Sequence, residues 1–134
     1  MSKLATLQTR RLTLRPLRSE DLAPLTAMNA DPRVAEHLPA PLTAEQSRAM
    51  FHRLVARIDP RGFGVWAVEV PDVAPFVGFV GLAAPSFETS FTPCIEIAWR
   101  LMHEHWGHGY ATEAARAAMT FGFASARLDE IVSF

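Results

Sequence analysis

The segment HEHWGHGYATEA, which starts at His103, contains the side chains in this chain that are best suited to chemistry. His103, His105 and His108 are close enough in sequence to share one ion, and imidazole nitrogen is a common metal ligand. The segment also contains Gly107 and Gly109, directly before an alanine-rich stretch with the composition of a helix. Glycines at the start of a helix are typical of loops that bind phosphate through backbone amides. A histidine metal site and an anion-binding loop are therefore both open.

The histidine spacing argues against the metal site. His-x-His-x-x-His resembles the His-x-His-x-Asp-His signature of metallo-β-lactamase-fold hydrolases, but Gly107 stands at the aspartate position. No histidine follows His108, so the later ligands of that fold are missing. Metal-bound imidazoles also need an acceptor for their second nitrogen, and Glu104 is the nearest candidate in sequence. We predict no metal here, and exposed loop histidines are the simpler interpretation.

The two glycines favour an anion. The first amides of a helix have no intrahelical acceptor, and the helix dipole adds partial positive charge at the same end. A glycine has no Cβ, so the backbone can approach an anion closely. If a helix begins near Ala111, the amides of residues 107–112 form a cradle for a diphosphate. A tight connection between a strand and a helix also explains the two glycines.

The elements that must hold this loop can be read from the pattern on either side. The apolar run 94–102 predicts a strand, in which Glu96 lies among apolar neighbours. Residues 111–126 predict a helix whose narrow polar face carries Glu113, Arg116 and Thr120. Residues 130–134 begin another strand, which should lie parallel to the strand before the helix.

Upstream, the pattern predicts the remainder of an α+β domain. Residues 11–15 alternate, which predicts a half-buried strand with Leu12 and Leu14 facing inward and Arg11, Thr13 and Arg15 facing outward. The runs 63–70 and 76–82 are almost entirely apolar, which predicts an antiparallel pair of inner strands covered on both faces.

Two helices are predicted between these strands. Ser19 is expected to cap a helix over residues 20–29. Thr43 and Gln46 have the spacing of a capping box, at the start of a helix that continues to Ile58.

The composition indicates a globular protein. A length of 134 residues predicts a single domain, and 49% hydrophobic with 20% charged residues excludes a disordered chain. The net charge is −1 and the arginines are scattered, so we expect no nucleic-acid partner. No stretch has the length of a membrane span or a signal peptide, and Cys94 is the one cysteine. We therefore predict a cytoplasmic protein that does not contact membranes.

The segment EIAWRLMHEHWGHGYATEAARAAMTFGF resembles the acetyl-CoA-binding segment of the GNAT superfamily of N-acetyltransferases. A Trp-Gly-x-Gly-Tyr-Ala-Thr-Glu-Ala run is typical of its RimJ/RimL-like branch, and here that run starts at Trp106. The superfamily pattern Gln/Arg-x-x-Gly-x-Gly/Ala falls on residues 106–111, with Trp106 in place of Gln or Arg. TRRLTLRPLRSEDL and FVGFVGL resemble the same branch, so the likeness extends from about residue 9 to residue 134.

This resemblance implies a GNAT-like α+β fold with a mostly antiparallel central sheet and a crossover helix. Two neighbouring strands splay apart in that fold, and the pantetheine arm of acetyl-CoA lies in the gap. The strand contacts to the arm would come from Trp99, Arg100, Leu101 and Met102. The diphosphate would be held at the loop and the first helical turn, by Trp106, Gly107, His108, Gly109, Tyr110, Ala111 and Thr112.

The resemblance further implies direct attack of a free primary amine on the thioester; the amine would belong to a protein N-terminus or a small molecule. Glu96 is our candidate general base, since its apolar neighbours could raise its pKa. The alternative is an outward glutamate paired with an arginine, and His103 or His105 could act as the base instead. A backbone amide near Leu101 is the candidate oxyanion donor. No general acid is assigned, because the one tyrosine, Tyr110, lies in the phosphate loop.

The family usually continues past EIVSF with an Asn-x-x-Ser helix, a Lys-x-Gly-Phe segment and further strands. We therefore expect one GNAT domain over residues 1–134 that is shortened at its C-terminus, with an exposed sheet edge there. Three explanations remain open: a fragment of a longer product, a homodimer in which each copy covers the other's edge, and a catalytically silent acyl-CoA-binding or scaffold protein.

Overall fold

The computed structural model describes residues 4–37, 41–83, 95–124, 128 and 131–132. One sheet contains six strands in sequence order: β1 (Leu7–Gln8), β2 (Thr13–Pro16), β3 (Val65–Val70), β4 (Ala74–Ala83), β5 (Ile95–Leu101) and β6 (Ile131–Val132). The helices are α1 (Leu22–Ala30), α2 (Ala44–Ala56) and α3 (Tyr110–Ala124). Neighbouring strands are antiparallel from β1 to β5, whereas β5 and β6 are parallel and α3 connects them. The predicted α+β fold with a mostly antiparallel sheet and a crossover helix is confirmed.

The two faces of the sheet are covered by different helices. The alanines of α3 pack on one face, in a cluster with Trp66, Val80 and Ile97 among others. Helices α1 and α2 cover the opposite face, in a second cluster that includes Phe51 and Phe79. Because both faces are buried, β3 and β4 consist almost entirely of apolar residues, as the sequence predicted.

Gly78 allows β4 and β5 to approach each other closely. A Cβ on Gly78 would lie 2.1 Å from the carbonyl oxygen of Arg100, which no side chain could tolerate. The register pairs Gly78 with Leu101 and Phe79 with Arg100. The paired-glycine run FVGFVGL therefore reflects strand packing beside the strand that leads into the loop.

Strand β2 begins at Thr13, two residues later than predicted, and one side chain of the predicted strand is placed differently. Leu12 and Leu14 are buried as expected, but Arg15 is also buried instead of facing solvent. Its guanidinium donates two hydrogen bonds to Asp21, at 2.8 and 2.9 Å, and one to Glu69 at 2.9 Å. These charge-assisted bonds compensate the loss of hydration that burial imposes on the cation.

The helix starts were predicted with mixed success. The Thr43–Gln46 capping box is present: the Thr43 amide donates to Gln46 Oε1 at 2.8 Å and the Gln46 amide donates to Thr43 Oγ1 at 3.1 Å. Ser19 is not a helix cap, since a 3-10 turn over Ser19–Asp21 precedes α1 and the Arg18 amide donates to Asp21 Oδ2. Helix α2 ends at Ala56 rather than Ile58. Cys94 lies outside the described residues.

Strands β5 and β6 meet only at one end within the described residues. Ile95 pairs with Ile131, and Glu96 pairs with Val132. In the described part of the chain, β5 beyond Glu96 therefore pairs with β4 alone. In that same part, no helix has the length and apolar character needed to cross a membrane.

Candidate active site

The loop between β5 and α3 is shaped by two glycines with positive φ. After a single 3-10 turn over His103–His105, Gly107 has φ 82° and Gly109 has φ 78°. Other residues rarely adopt this conformation, so both glycines are required by the backbone path. Nothing lies within 4 Å of the Cβ position at Gly107, which leaves the loop open on that side.

Helix α3 begins at Tyr110, one residue earlier than predicted. The Glu113 amide donates to the Gly109 carbonyl at 3.0 Å, which makes Gly109 the residue that caps the helix. By helix geometry, the amides of Tyr110, Ala111 and Thr112 then have no intrahelical acceptor. Together with the partial positive charge of the helix end, they form a site suited to an anion.

A cleft of about 550 Å³ opens where this helix start meets the end of β5. It is lined by nine of the residues proposed to bind acetyl-CoA: Trp99, Arg100, Leu101, Trp106, Gly107, Gly109, Tyr110, Ala111 and Thr112. It is also lined by three residues that the sequence did not assign to binding: Arg33, Val34 and His105. Trp99 and Trp106 are each nearly half exposed, so the cleft has two accessible aromatic walls.

Two of the proposed binding residues are not among those that line the cleft. Met102 is partly buried against the α1–α2 side of the sheet, and its amide donates to the Val77 carbonyl at 2.8 Å. His108 is exposed, and its ring stacks on Tyr110 with centroids 5.3 Å apart. These two residues shape the strand end and the loop from outside the cleft.

The backbone of β5 presents hydrogen-bonding groups away from β4. In an antiparallel ladder, every second residue of a strand makes backbone hydrogen bonds to the neighbouring strand. The Met102 amide bonds to the Val77 carbonyl, so the backbone groups of Arg100, two residues earlier, bond to Phe79. Trp99 and Leu101 lie at the positions between, so their amides and carbonyls point towards the other edge. There the Leu101 carbonyl accepts a bond from the Trp106 indole at 3.0 Å. Among the described residues, the other groups on this edge have no strand partner.

Arg11 holds the loop from outside this cleft. Its Nε donates to Glu113 Oε1 at 2.7 Å, its amide to Glu113 Oε2 at 2.9 Å, and its Nη1 to the His108 carbonyl at 2.8 Å. Its guanidinium also lies 4.9 Å from the centre of the Tyr110 ring. Thr9 donates a further hydrogen bond to Glu113. We call the set Thr9, Arg11 and Glu113 the bracket.

The sequence analysis did not find the bracket, since Arg11 and Glu113 are 102 positions apart. Burial raises the pKa of Glu113, but the bonds from Thr9 and Arg11 together outweigh this and hold the pKa below its ordinary value. The carboxylate is therefore ionised at neutral pH, and it keeps Arg11 against the loop.

The charges that line the cleft are positive. Arg33 and Arg100 both line it, and no Asp or Glu is among its described lining residues. Arg33 is bound to Asp31 through its Nη2 at 2.8 Å and its Nε at 3.0 Å. The Arg33 side chain and amide lower the pKa of Asp31 to about 2, so this pair stays ionised in neutral solution. The cleft is thus suited electrostatically to an anionic ligand.

Comparison with known proteins identifies the family. A family model described as an acetyltransferase (GNAT) domain matches residues 11–134. The chain belongs to the GNAT acetyltransferase domain family. The 96–115 region that carries the predicted motif lies within this match.

Individual proteins are similar to this chain, and two of the three described here carry the name acetyltransferase. The chain is 37% identical over 65 residues to YkkB of Bacillus subtilis (strain 168), a match that covers 47% of this chain and 37% of YkkB. It is 29% identical to N-acetyltransferase p20 of Bacillus licheniformis, over 96% of this chain and 71% of p20. An acetyltransferase structure from Agrobacterium tumefaciens str. C58 superposes with a TM-score of 0.83 at 30% identity, covering 99% of this chain and 75% of that one. The chain thus spans about a third to three quarters of the length of these proteins.

In this GNAT chain, Glu96 lies near the start of β5, opposite Ala83 of β4 and Val132 of β6. It is partly buried, and it is absent from the ion pairs of the described residues. Strand alternation puts Glu96 and Arg100 on the same face of the sheet. This is the face that α1 and α2 cover, since Arg100 contacts Phe79 of that cluster.

The three histidines of the GNAT loop have separate surroundings. His103 packs on Trp106 with ring centroids 4.5 Å apart, His105 lines the cleft, and His108 stacks on Tyr110. Within the described ranges, no three His, Cys, Asp or Glu side chains are grouped so that they could hold a metal ion. Each ring therefore contacts the loop as an individual side chain.

A larger cleft of about 880 Å³ lies on the β1 side of α3. The predicted polar face of α3, with Glu113, Arg116 and Thr120, lines it. It shares Gly109 and Thr112 with the first cleft but includes no residue of β5. The smaller cleft is the better candidate site, because it combines the start of the helix with the open strand edge.

Proposed function

We propose that this GNAT chain transfers an acetyl group from acetyl-CoA to a primary amine. The observation that carries the proposal is that one cleft joins the amides at the start of α3 to the edge of β5 that, among the described residues, has no strand partner beyond Glu96. An anion with a long amide-containing arm fits this combination. The anionic end can accept hydrogen bonds from the amides at the helix start, and the amides of the arm can pair with the backbone of β5.

In this proposal the diphosphate is held by the amides of residues 107–112. Amides that point at phosphate oxygens need no particular side chain, which explains the small residues Gly107, Gly109 and Ala111. Arg33 adds positive charge at the same cleft. The pantetheine arm then extends along β5, with its amides paired to the backbone groups of Trp99 and Leu101 in the manner of an added strand.

This orientation directs the thioester along β5 towards Glu96. The amine nitrogen attacks the thioester carbonyl, a C–N bond forms, and the C–S bond breaks to release the CoA thiolate. The proton lost by the amine passes to Glu96 and from there to water, and the thiolate takes up a proton from water, so that no net proton is gained or lost. A backbone amide near Leu101 stabilises the tetrahedral oxyanion. His103 and His105 remain the alternative bases.

The test has two parts, a binding measurement and an assay of CoA thiol release over a panel of amines. Acetyl-CoA and CoA, but not zinc, should raise the melting temperature. Gly109→Glu should abolish this shift, because a side chain at this positive φ strains the loop and its Cβ would lie 3.3 Å from Arg11 Nη2. Glu96→Gln should lower kcat about 100-fold or more while sparing CoA binding, as expected for loss of a general base. Glu104→Gln, which removes an exposed carboxylate from the loop that follows β5, is the matched control.

The outcomes separate the competing interpretations. A thermal shift with CoA but no thiol release from any amine would support the catalytically silent acyl-CoA-binding protein. A shift with zinc alone would support the histidine metal site and contradict the proposal. Normal turnover by Glu96→Gln would remove only the assignment of Glu96 as base.

The remaining proposals concern the acceptor and the assembly. The RimJ/RimL-like motif favours a protein N-terminus as acceptor, with small amines as the alternative. We also propose one GNAT domain that pairs with a second copy at the β6 edge. Sedimentation velocity tests this: a monomer at micromolar concentration would contradict the dimer and leave the transfer proposal intact.

A further inference from the structure

Arg100 is a partly buried cation on the face of β5 that also carries Glu96. Its Nη1 donates to Asn29 Oδ1 of α1 at 2.6 Å, and its guanidinium lies 5.5 Å from the centre of the Phe79 ring. Asn29 is itself fully buried and donates to Ser47 of α2 at 3.1 Å. Arg100 is thus held at a defined position between β5 and α1 while it lines the cleft.

The positive charge of Arg100 has no acidic partner among the described residues. Arg33, the other arginine of the cleft, is ion-paired to Asp31. Arg15, the buried arginine of β2, is ion-paired to Asp21 and Glu69. Burial lowers the pKa of Arg100, which reflects the free-energy cost of holding its charge away from water. A neutral amide oxygen does not balance that charge, so the site can gain free energy from a bound anion.

We propose that Arg100 binds a carboxylate carried by the amine acceptor; this inference rests on the proposed acetyl transfer. The guanidinium has five donors in a planar fork, and Asn29 occupies one of them. The remaining fork matches a carboxylate in two-point geometry. Among the described residues the Arg100 guanidinium has no acidic partner, and its single positive charge matches a singly charged carboxylate better than a doubly charged phosphate.

The position of Arg100 assigns the anion to the acceptor rather than to CoA. The amide cradle and the edge groups of Trp99 and Leu101 lie at the start of α3 and in the plane of the sheet. The Arg100 side chain instead extends over the α1–α2 face, where Glu96 also lies. Four residues along a strand separate their Cα atoms by about 13 Å. This separation favours acceptors whose amine and carboxylate are several bonds apart.

A matched pair of amines tests the inference: γ-aminobutyrate and its amide, with aminopropylphosphonate as a phosphonate comparison. The wild-type chain should prefer γ-aminobutyrate to the other two. Arg100→Gln should lower kcat/KM for γ-aminobutyrate about 30-fold and for the amide less than about threefold, as expected for a charge-assisted hydrogen-bonded pair. Comparison of the variant with the wild type for each amine cancels the intrinsic reactivity of that amine.

Two control variants separate recognition from folding. Asn29→Ala breaks the same Arg100 hydrogen bond but retains the cation, so it should lower the melting temperature while the carboxylate-to-amide ratio stays within about threefold of wild type. Arg33→Gln removes an equal charge from the same cleft and should also preserve that ratio. Arg100→Lys keeps the positive charge but loses the planar two-point donor geometry, so it should retain part of the preference for γ-aminobutyrate over its amide.

An equal loss with both amines in Arg100→Gln would overturn the inference and show a structural role for Arg100. A preference of the wild type for the phosphonate would overturn the choice of a carboxylate. Absence of thiol release by the wild type with every amine would instead refute the proposed acetyl transfer itself, and the inference with it.

Discussion

The bracket predicts that residues outside the cleft control CoA affinity. Arg11→Ala removes the contacts to the His108 carbonyl and the Tyr110 ring, whereas Glu113→Ala removes the ion pair that holds Arg11 in position for those contacts. We expect both variants to bind CoA about 5- to 30-fold more weakly than the wild type. The affinity for CoA should fall although neither side chain lines the smaller cleft, in which CoA is proposed to bind.

The magnitude follows from the ordering of the loop rather than from the ion pair. The Arg11 side chain is 44% exposed, so its pairing with Glu113 contributes about 0.2–1 kcal/mol. Fixing the backbone of one residue costs about 1–2 kcal/mol. If loss of the bracket frees the equivalent of one residue near Gly109, the ligand must supply this free energy on binding. A difference of about 1.4 kcal/mol corresponds to a factor of ten in affinity.

Isothermal titration of the folded variants with CoA measures the effect. Arg116→Ala is the matched control, since it removes an exposed cation from α3 that makes no hydrogen bond among the described residues and does not line the first cleft. Glu113→Ala is the decisive variant, because it leaves Arg11 present but untethered. If Arg11 acted on CoA directly through its charge, Glu113→Ala would bind CoA at least as tightly as Arg116→Ala. That result would refute the bracket as a positioning device.

Three further predictions concern stability, each measured by urea unfolding. Asp21→Asn should lower the free energy of unfolding by about 3–5 kcal/mol, since it leaves the buried Arg15 without its closest counter-charge, and a loss below about 1 kcal/mol would contradict this. Thr43→Ala should cost about 1 kcal/mol through loss of the capping box, whereas Thr120→Ala, on an exposed face of α3, should cost less than half of this. The lowered pKa of Glu113 stabilises the fold above its ordinary value of 4.5, and this contribution is lost as the pH falls through the folded-state pKa. The stability difference between wild type and Glu113→Gln should therefore shrink in acid, and a constant difference between pH 7 and pH 3 would contradict the assignment.

Local patterns predicted the parts of the molecule that local physics determines. The start of α3 was placed within one residue, because Gly107 and Gly109 are needed for a positive φ and an alanine-rich helix follows. The continuous apolar runs of β3 and β4 correctly indicated strands covered on both faces. Arg15 was misplaced because alternation assigns a charged residue to the solvent side. Its partners Asp21 and Glu69 come from two other elements, and a pattern within β2 contains no information about them.

The same limit applies to the chemistry of the site. Sequence placed Glu96 and Arg100 on one strand, and a period of two gives them a common face. It could not show which helices cover that face, because this depends on the β4–β5 register that the close approach at Gly78 permits. With that register, Arg100 meets Asn29 and Phe79, while the backbone edge of Trp99 and Leu101 has no strand partner in the part of the chain that the structure describes. In the proposed function, one strand thereby has two tasks: its edge offers hydrogen bonds to an acyl donor, and its α1–α2 face offers a carboxylate and a cation to an acceptor. The acceptor assays test the second task independently of the first, since they vary the amine while acetyl-CoA is held constant.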